Sequence, residues 1–195
     1  MSLGRTVQNL PHLLCGILLI SVVNPTQTLD YSIKVTKFVC IDTPYARTEL
    51  HSCRTVVRRN EPTLLDLKLT VPEVVNYLRL HYKLDYKFNS YRPFFFNHDF
   101  EFCEFLKPKL RDPAASIAYN ILVENFPSLR SPCPHGNRTY EVKHWVDSKY
   151  LPKSVPAGEY RITTTLTFKD NVTALKVLTY LAVRKKGIFD SMIEW

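Results

Sequence analysis

The sequence predicts an all-β protein, a sandwich of antiparallel strands with one short helix and two disulfides. Three observations carry that expectation. Apolar residues recur at every second position over most of the chain, the spacing of a strand with one buried face. Only one segment has helical spacing instead. Four cysteines follow an N-terminal segment that reads as an export signal, and four cysteines in an oxidising compartment make two bridges.

The N-terminus comes first because it decides the compartment. Residues 1–12 (MSLGRTVQNLPH) carry one positive charge and no acid, and Leu13 to Val23 (LLCGILLISVV) is an apolar run of eleven. A membrane span needs about 20 apolar residues, and Asn24 and Pro25 end this run well short of that. Residues 1–28 therefore read as a signal peptide, cut somewhere between Asn24 and Asp30, and 29–195 as a single secreted domain. No second apolar run reaches membrane length, so no transmembrane segment is expected. Glycine is scarce and the prolines are scattered, which leaves no linker at which to divide the mature chain.

Along the mature chain, Tyr31–Ile41 is a strand candidate. Leu65, Leu67, Leu69 and Val71 alternate with Asp66, Lys68 and Thr70, and Val71-Pro72-Glu73 reads as a break. Leu78, Leu80, Tyr82, Leu84, Tyr86 and Phe88 then alternate with Arg79, His81, Lys83, Asp85 and Lys87, giving a long strand with one apolar and one wet face. The two strands are expected to be neighbours. The next segment, YRPFFFNHDFEFCEFL from Tyr91 to Leu106, places Phe94, Phe96, Phe100 and Phe102 on one face of a further strand, expected to pair with the strand before it. Asp112 as cap, Pro113 at the first helical position and Ala118, Ile121, Leu122 and Asn125 at helical spacing predict a helix closed by Pro127. Thr139–Val146 is a strand candidate. Tyr160, Ile162, Thr164, Leu166 and Phe168 share one strand face, and Leu175, Val177, Thr179, Leu181 and Val183 another, with Lys169-Asp170-Asn171 as the turn between.

Cys15 falls in the signal peptide, leaving Cys40, Cys53, Cys103 and Cys133. Three connectivities exist; pairing Cys40 with Cys53 and Cys103 with Cys133 is favoured because each closes a short local loop. His135 follows Cys133 closely, but no C-x-x-C or H-x-x-x-H spacing accompanies it, so no metal site and no cofactor are expected. Asn137-Arg138-Thr139 and Asn171-Val172-Thr173 are glycosylation sequons once export is accepted, with Asn137 and Asn171 as acceptors. The formal charge is +8, and removing Arg5 with the signal peptide leaves +7 (8 − 1). The basic residues are scattered and an exported protein meets no genome, so nucleic acid is not an expected partner.

No G-x-S-x-G elbow, H-E-x-x-H or P-loop occurs, and nothing nominates a nucleophile near His98-Asp99, so no catalytic residue is expected. His98 reads as an interior or rim histidine. An aromatic stripe of this kind either fills a core or holds two sheets apart around an apolar cavity. In the second case Leu78, Leu80, Tyr82, Leu84, Tyr86 and Phe88, with Phe94, Phe96, Phe100 and Phe102 and, from the C-terminal strands, Leu166 and Phe168, are the candidate cavity lining. The other reading is an extracellular interaction module with a filled core that binds a receptor or partner protein through its loops and basic surface.

The run Tyr91-Arg92-Pro93-Phe94-Phe95, the block Asp99-Phe100-Glu101-Phe102-Cys103-Glu104-Phe105-Leu106, Cys53 with Arg59-Asn60, Cys133-Pro134-His135-Gly136, Leu151-Pro152 and Pro156-Ala157-Gly158-Glu159-Tyr160-Arg161 occur in an order that resembles an insect family of secreted proteins, domain of unknown function 1091. The resemblance covers roughly Ile33 to Val183. That family is similar to the ML lipid-recognition proteins and includes the CheB chemosensory proteins. The resemblance implies an immunoglobulin-like (ML/E-set-like) β-sandwich carrying a lipid, hydrocarbon or pheromone-like ligand between its sheets, in chemosensation or lipid transport, and no catalysis. Where many members have an asparagine-histidine-serine run, this chain has Leu129-Arg130-Ser131-Pro132.

Overall fold

The computed structural model describes residues 31–59, 61–107, 113–144 and 155–185. The signal peptide read in residues 1–28 and the cap read at Asp112 lie outside them. Among the described residues the strands are β1 (Tyr31–Cys40), β2 (Glu49–Arg58), β3 (Glu61–Val75), β4 (Arg79–Lys87), β5 (Tyr91–Glu101), β6 (His135–His144), β7 (Gly158–Thr167) and β8 (Thr173–Lys185). Helices α1 (Phe102–Leu106) and α2 (Pro113–Asn125) and a 3-10 turn at Pro127–Leu129 stand between β5 and β6. All ladders are antiparallel: five strands in the order β1-β8-β7-β4-β5 form one sheet, and β2-β3-β6 form the other. The protein is an all-β sandwich.

Two expected ladders form. β4 pairs with β5, with Leu80 opposite Phe100 and Tyr82 opposite His98. β7 pairs with β8, with Leu166 opposite Leu175; Asn171 at φ 63° and the Phe168 N–H to Val172 carbonyl bond of 2.9 Å make the turn.

The strands expected to be neighbours, β3 and β4, lie instead in opposite sheets. Each has one apolar face, and two such faces are covered when they meet across a sandwich, which pairing edge to edge does not achieve. The expected break at Pro72 is also different. β3 runs on to Val75, and the ladder to β6 skips Pro72 and Glu73 between Val71 and Val74. Proline has no N–H to give, so a bulge is where a strand can hold one. Gly136 fits against that bulge: it sits at φ +89°, and a Cβ there would lie 1.9 Å from the Glu73 carbonyl oxygen.

β2 carries no clean alternation and its pairing is set by its neighbours. It is an edge strand whose Cys53 bonds to Cys40 at the end of β1. The predicted strand through Phe102 stops one residue early, because the Glu101 carboxylate accepts the N–H groups of Cys103 (3.1 Å) and Glu104 (2.6 Å) and so caps α1. The face of β4 read as wet holds a second surprise in Asp85, which is fully buried. Its Oδ2 accepts from Arg161 Nη2 at 2.9 Å and Nε at 3.2 Å, Lys83 Nζ lies 3.1 Å from Oδ1, and the guanidinium of Arg161 lies 4.7 Å from the Tyr91 ring centre.

The two edges of the sandwich are closed differently. On one, β1 packs beside β2 and Cys40–Cys53 staples the sheets directly. On the other, β5 and β6 do not pair; the helices fill the space between them and Cys103–Cys133 ties the helical segment to the start of β6. Both bridges are the favoured pairing.

Candidate ligand-binding cavity

A five-stranded sheet facing a three-stranded one leaves part of its inner face uncovered, and here helices cover the remainder. Between the layers lies a cavity of about 310 Å³, within the range of about 300–1,000 Å³ of small-molecule sites. One wall is Leu80 and Tyr82 of β4, Phe100 of β5, Leu166 of β7 and Val177 and Leu181 of β8. The facing wall is Leu65, Leu67, Leu69 and Val71 of β3 with Tyr140 and Val142 of β6. Phe105 of α1 and Ala118, Ile121 and Leu122 of α2 form the third side.

The lining runs the whole of β6, from His135 to His144. No Lys, Arg, Asp or Glu lines it among the described residues. The Tyr82 phenol keeps some accessible surface, yet burial pushes it up to about 12; a hydroxyl facing an apolar lumen, with little water to solvate its anion, titrates in that way.

Of the residues singled out from sequence, Leu78, Leu80, Tyr82, Phe100, Phe102, Leu166 and Phe168 line this cavity. Leu84, Tyr86, Phe88, Phe94 and Phe96 do not. The reason is a break in register. Lys83 pairs with Asn97 but Asp85 pairs with Pro93, so β5 carries two extra residues there. Phe95 takes φ 58° and stands 85% exposed in the resulting bulge. Beyond it Tyr86 and Phe94 join a second core, with ring centres 5.3 Å apart and Tyr86 5.0 Å from Tyr160, and Leu84 packs against the same cluster. Phe96 stands edge-on to Tyr82 at 5.6 Å. Phe88, past the end of β4, is 62% exposed, and His98, read as interior or rim, is exposed too.

Sequence reasoning did not nominate the β3 and α2 walls as a site. The signal was present, since Leu65 to Val71 and Ala118 to Asn125 are the apolar positions that defined those elements. What was missing is which inner faces oppose one another. The sequons lie on the surface, Asn137 in β6 and Asn171 in the β7–β8 turn.

Residues 80–162, from β4 to the middle of β7, match the sequence profile described as "Protein of unknown function (DUF1091)". The chain carries a DUF1091 match. The DUF1091 stretch contains β4 from Leu80 on, β5, both helices and β6, and so the helical side of the cavity with part of each sheet wall. No curated protein sequence matches the chain. Among solved structures, chicken MD-1 complexed with lipid IVa is 14% identical, the alignment covering 78% of this chain and 98% of that one with a TM-score of 0.32. A Niemann-Pick type C2 protein from Japanese carpenter ant is 12% identical, with 73% and 96% covered and a TM-score of 0.36.

Proposed function

We propose that the protein is an exported, non-catalytic binding protein that holds a lipid or another long hydrophobe between its two sheets, for transport or chemosensory delivery. The observation that carries this reading is the cavity itself: an uncharged lumen walled mainly by aliphatic and aromatic side chains from both sheets and from α2. Burial of apolar ligand surface at about 25 cal/mol per Å² supplies the affinity. Two disulfides support export, since such bridges persist in oxidising compartments. A module with a filled core would have no use for a lumen of this volume.

The test is occupation of the lumen by the protein's own side chain. Leu122→Trp extends an indole from α2 into the cavity and is expected to cut uptake of a hydrophobic dye at least tenfold. Phe88→Ser, on the exposed end of the β4–β5 turn, is expected to leave uptake unchanged. Equal uptake by wild type and a folded Leu122→Trp protein would move the dye, and the function, out of the cavity.

A further inference from the structure

Folded chains rarely leave a buried hydrogen-bonding atom without a partner. His135 is such a case. It is the first residue of β6, 6% exposed, and its Nε2 is buried with no hydrogen-bond partner among the described residues. Its ring forms part of the cavity lining, 5.7 Å from the Phe102 ring and 6.5 Å from that of Tyr140. Neighbouring polar groups of the lining are engaged by the protein: the Tyr140 hydroxyl accepts the Gly136 N–H at 2.7 Å, and the Asn125 amide donates to the Ile121 carbonyl at 2.7 Å. Gly136 follows the histidine at φ +89° and is pressed against the Glu73 carbonyl, so the backbone beside the ring is held in place.

We propose that His135 is the polar anchor of the lumen and takes the hydroxyl of a long-chain alcohol, whose tail lies along β6 between the sheets. The inference rests on the binding reading above and adds the chemical class of the ligand. A neutral imidazole has one nitrogen that donates and one that accepts, and a hydroxyl can do both, so an alcohol satisfies Nε2 in either tautomer. A carboxylate fits less well, because burying an anion is costly without a cation beside it and no Lys or Arg lines the lumen among the described residues. Burial, and then the positive charge of Arg138, hold the imidazole below its ordinary pKa, so it offers no cation at neutral pH. A plain alkane would fill the lumen and leave Nε2 unmet.

The experiment is competition against bound N-phenyl-1-naphthylamine on the whole secreted chain, comparing dodecan-1-ol with dodecane. One neutral hydrogen bond corresponds to about a fivefold preference for the alcohol. His135→Phe is expected to abolish the preference for the alcohol over the alkane, and His135→Gln, which keeps a hydrogen-bonding group, to retain part of it. Equal affinities in the wild type, or a preference that survives in a folded His135→Phe protein, would overturn the anchor and leave the cavity reading standing. Failure of the wild type to hold dye, alcohol or alkane would overturn both. If His135→Phe does not fold, the wild-type ranking and the His135→Gln value decide the matter.

Discussion

Asp85 is a charged residue with no exposure at all, on a strand whose alternation assigns it to the wet face beside Arg79, His81, Lys83 and Lys87. Its burial is a product of the ladder: Arg161 stands opposite it on β7, and Arg161 in turn is covered by the Tyr91 ring. None of that is local, so no reading of Leu78 to Phe88 alone could find it. The same is true of His135, which looks in sequence like a residue beside a cysteine and in the fold is a wall of the lumen. Removing one member of a buried ion pair leaves the others without compensation, and costs about 3–5 kcal/mol where the pair is wholly buried. Here Arg161 and Lys83 keep about a third of their side-chain surface, so Asp85→Ala is expected at the lower end, about 3 kcal/mol. Urea unfolding at constant slope measures it. A loss below about 1 kcal/mol would mean that water screens the cluster as it does a surface pair.

At the scale of elements, the legible parts are those whose period is self-contained. The apolar face of β4, the β7–β8 turn and the helical spacing of α2 follow from local sequence, and each is in the structure. β2 was not legible because its pattern, ELHSCRTVVR, obeys no single period; it is held by pairing with β3 and by Cys53. α1 was missed because Phe102 continues the alternation of β5, and the Glu101 cap turns the chain into a helix there. The two bridges joining these elements have separate tasks. In the chain-entropy picture, loops of 13 and 30 residues contribute about 3 and about 3.5 kcal/mol. Replacing Cys103 and Cys133 by serine is therefore expected to cost stability and also to weaken dye uptake, because the bridge holds the helical side of the lumen. Replacing Cys40 and Cys53 is expected to cost nearly as much stability with uptake preserved, since that edge is also closed by β1 against β2. Parallel denaturation and dye titration of the two double variants separate the outcomes, and equal uptake in both would remove the helical edge from the site.

For the whole molecule the decisive property is the mismatch between five strands and three. A core of this composition packed to ordinary density leaves few voids larger than a water, so a lumen of about 310 Å³ forgoes contacts that a filled interior would make. A ligand that fills it restores them in the folded state only, and linkage makes the consequence measurable. At a free ligand concentration of 100 times Kd, the folded state gains about 2.7 kcal/mol. For a chain of this size each kcal/mol moves Tm by about 2–4 °C, so saturating dodecan-1-ol is expected to raise Tm by about 5–10 °C. The shift should grow with the logarithm of ligand concentration and be much smaller in Leu122→Trp, whose own indole already fills part of the space. That variant should also melt higher than wild type without ligand, provided the indole fits in a relaxed rotamer. A Tm that ignores ligand in both proteins would mean the lumen is not filled by the alcohol, and the aromatic wall would then be core alone.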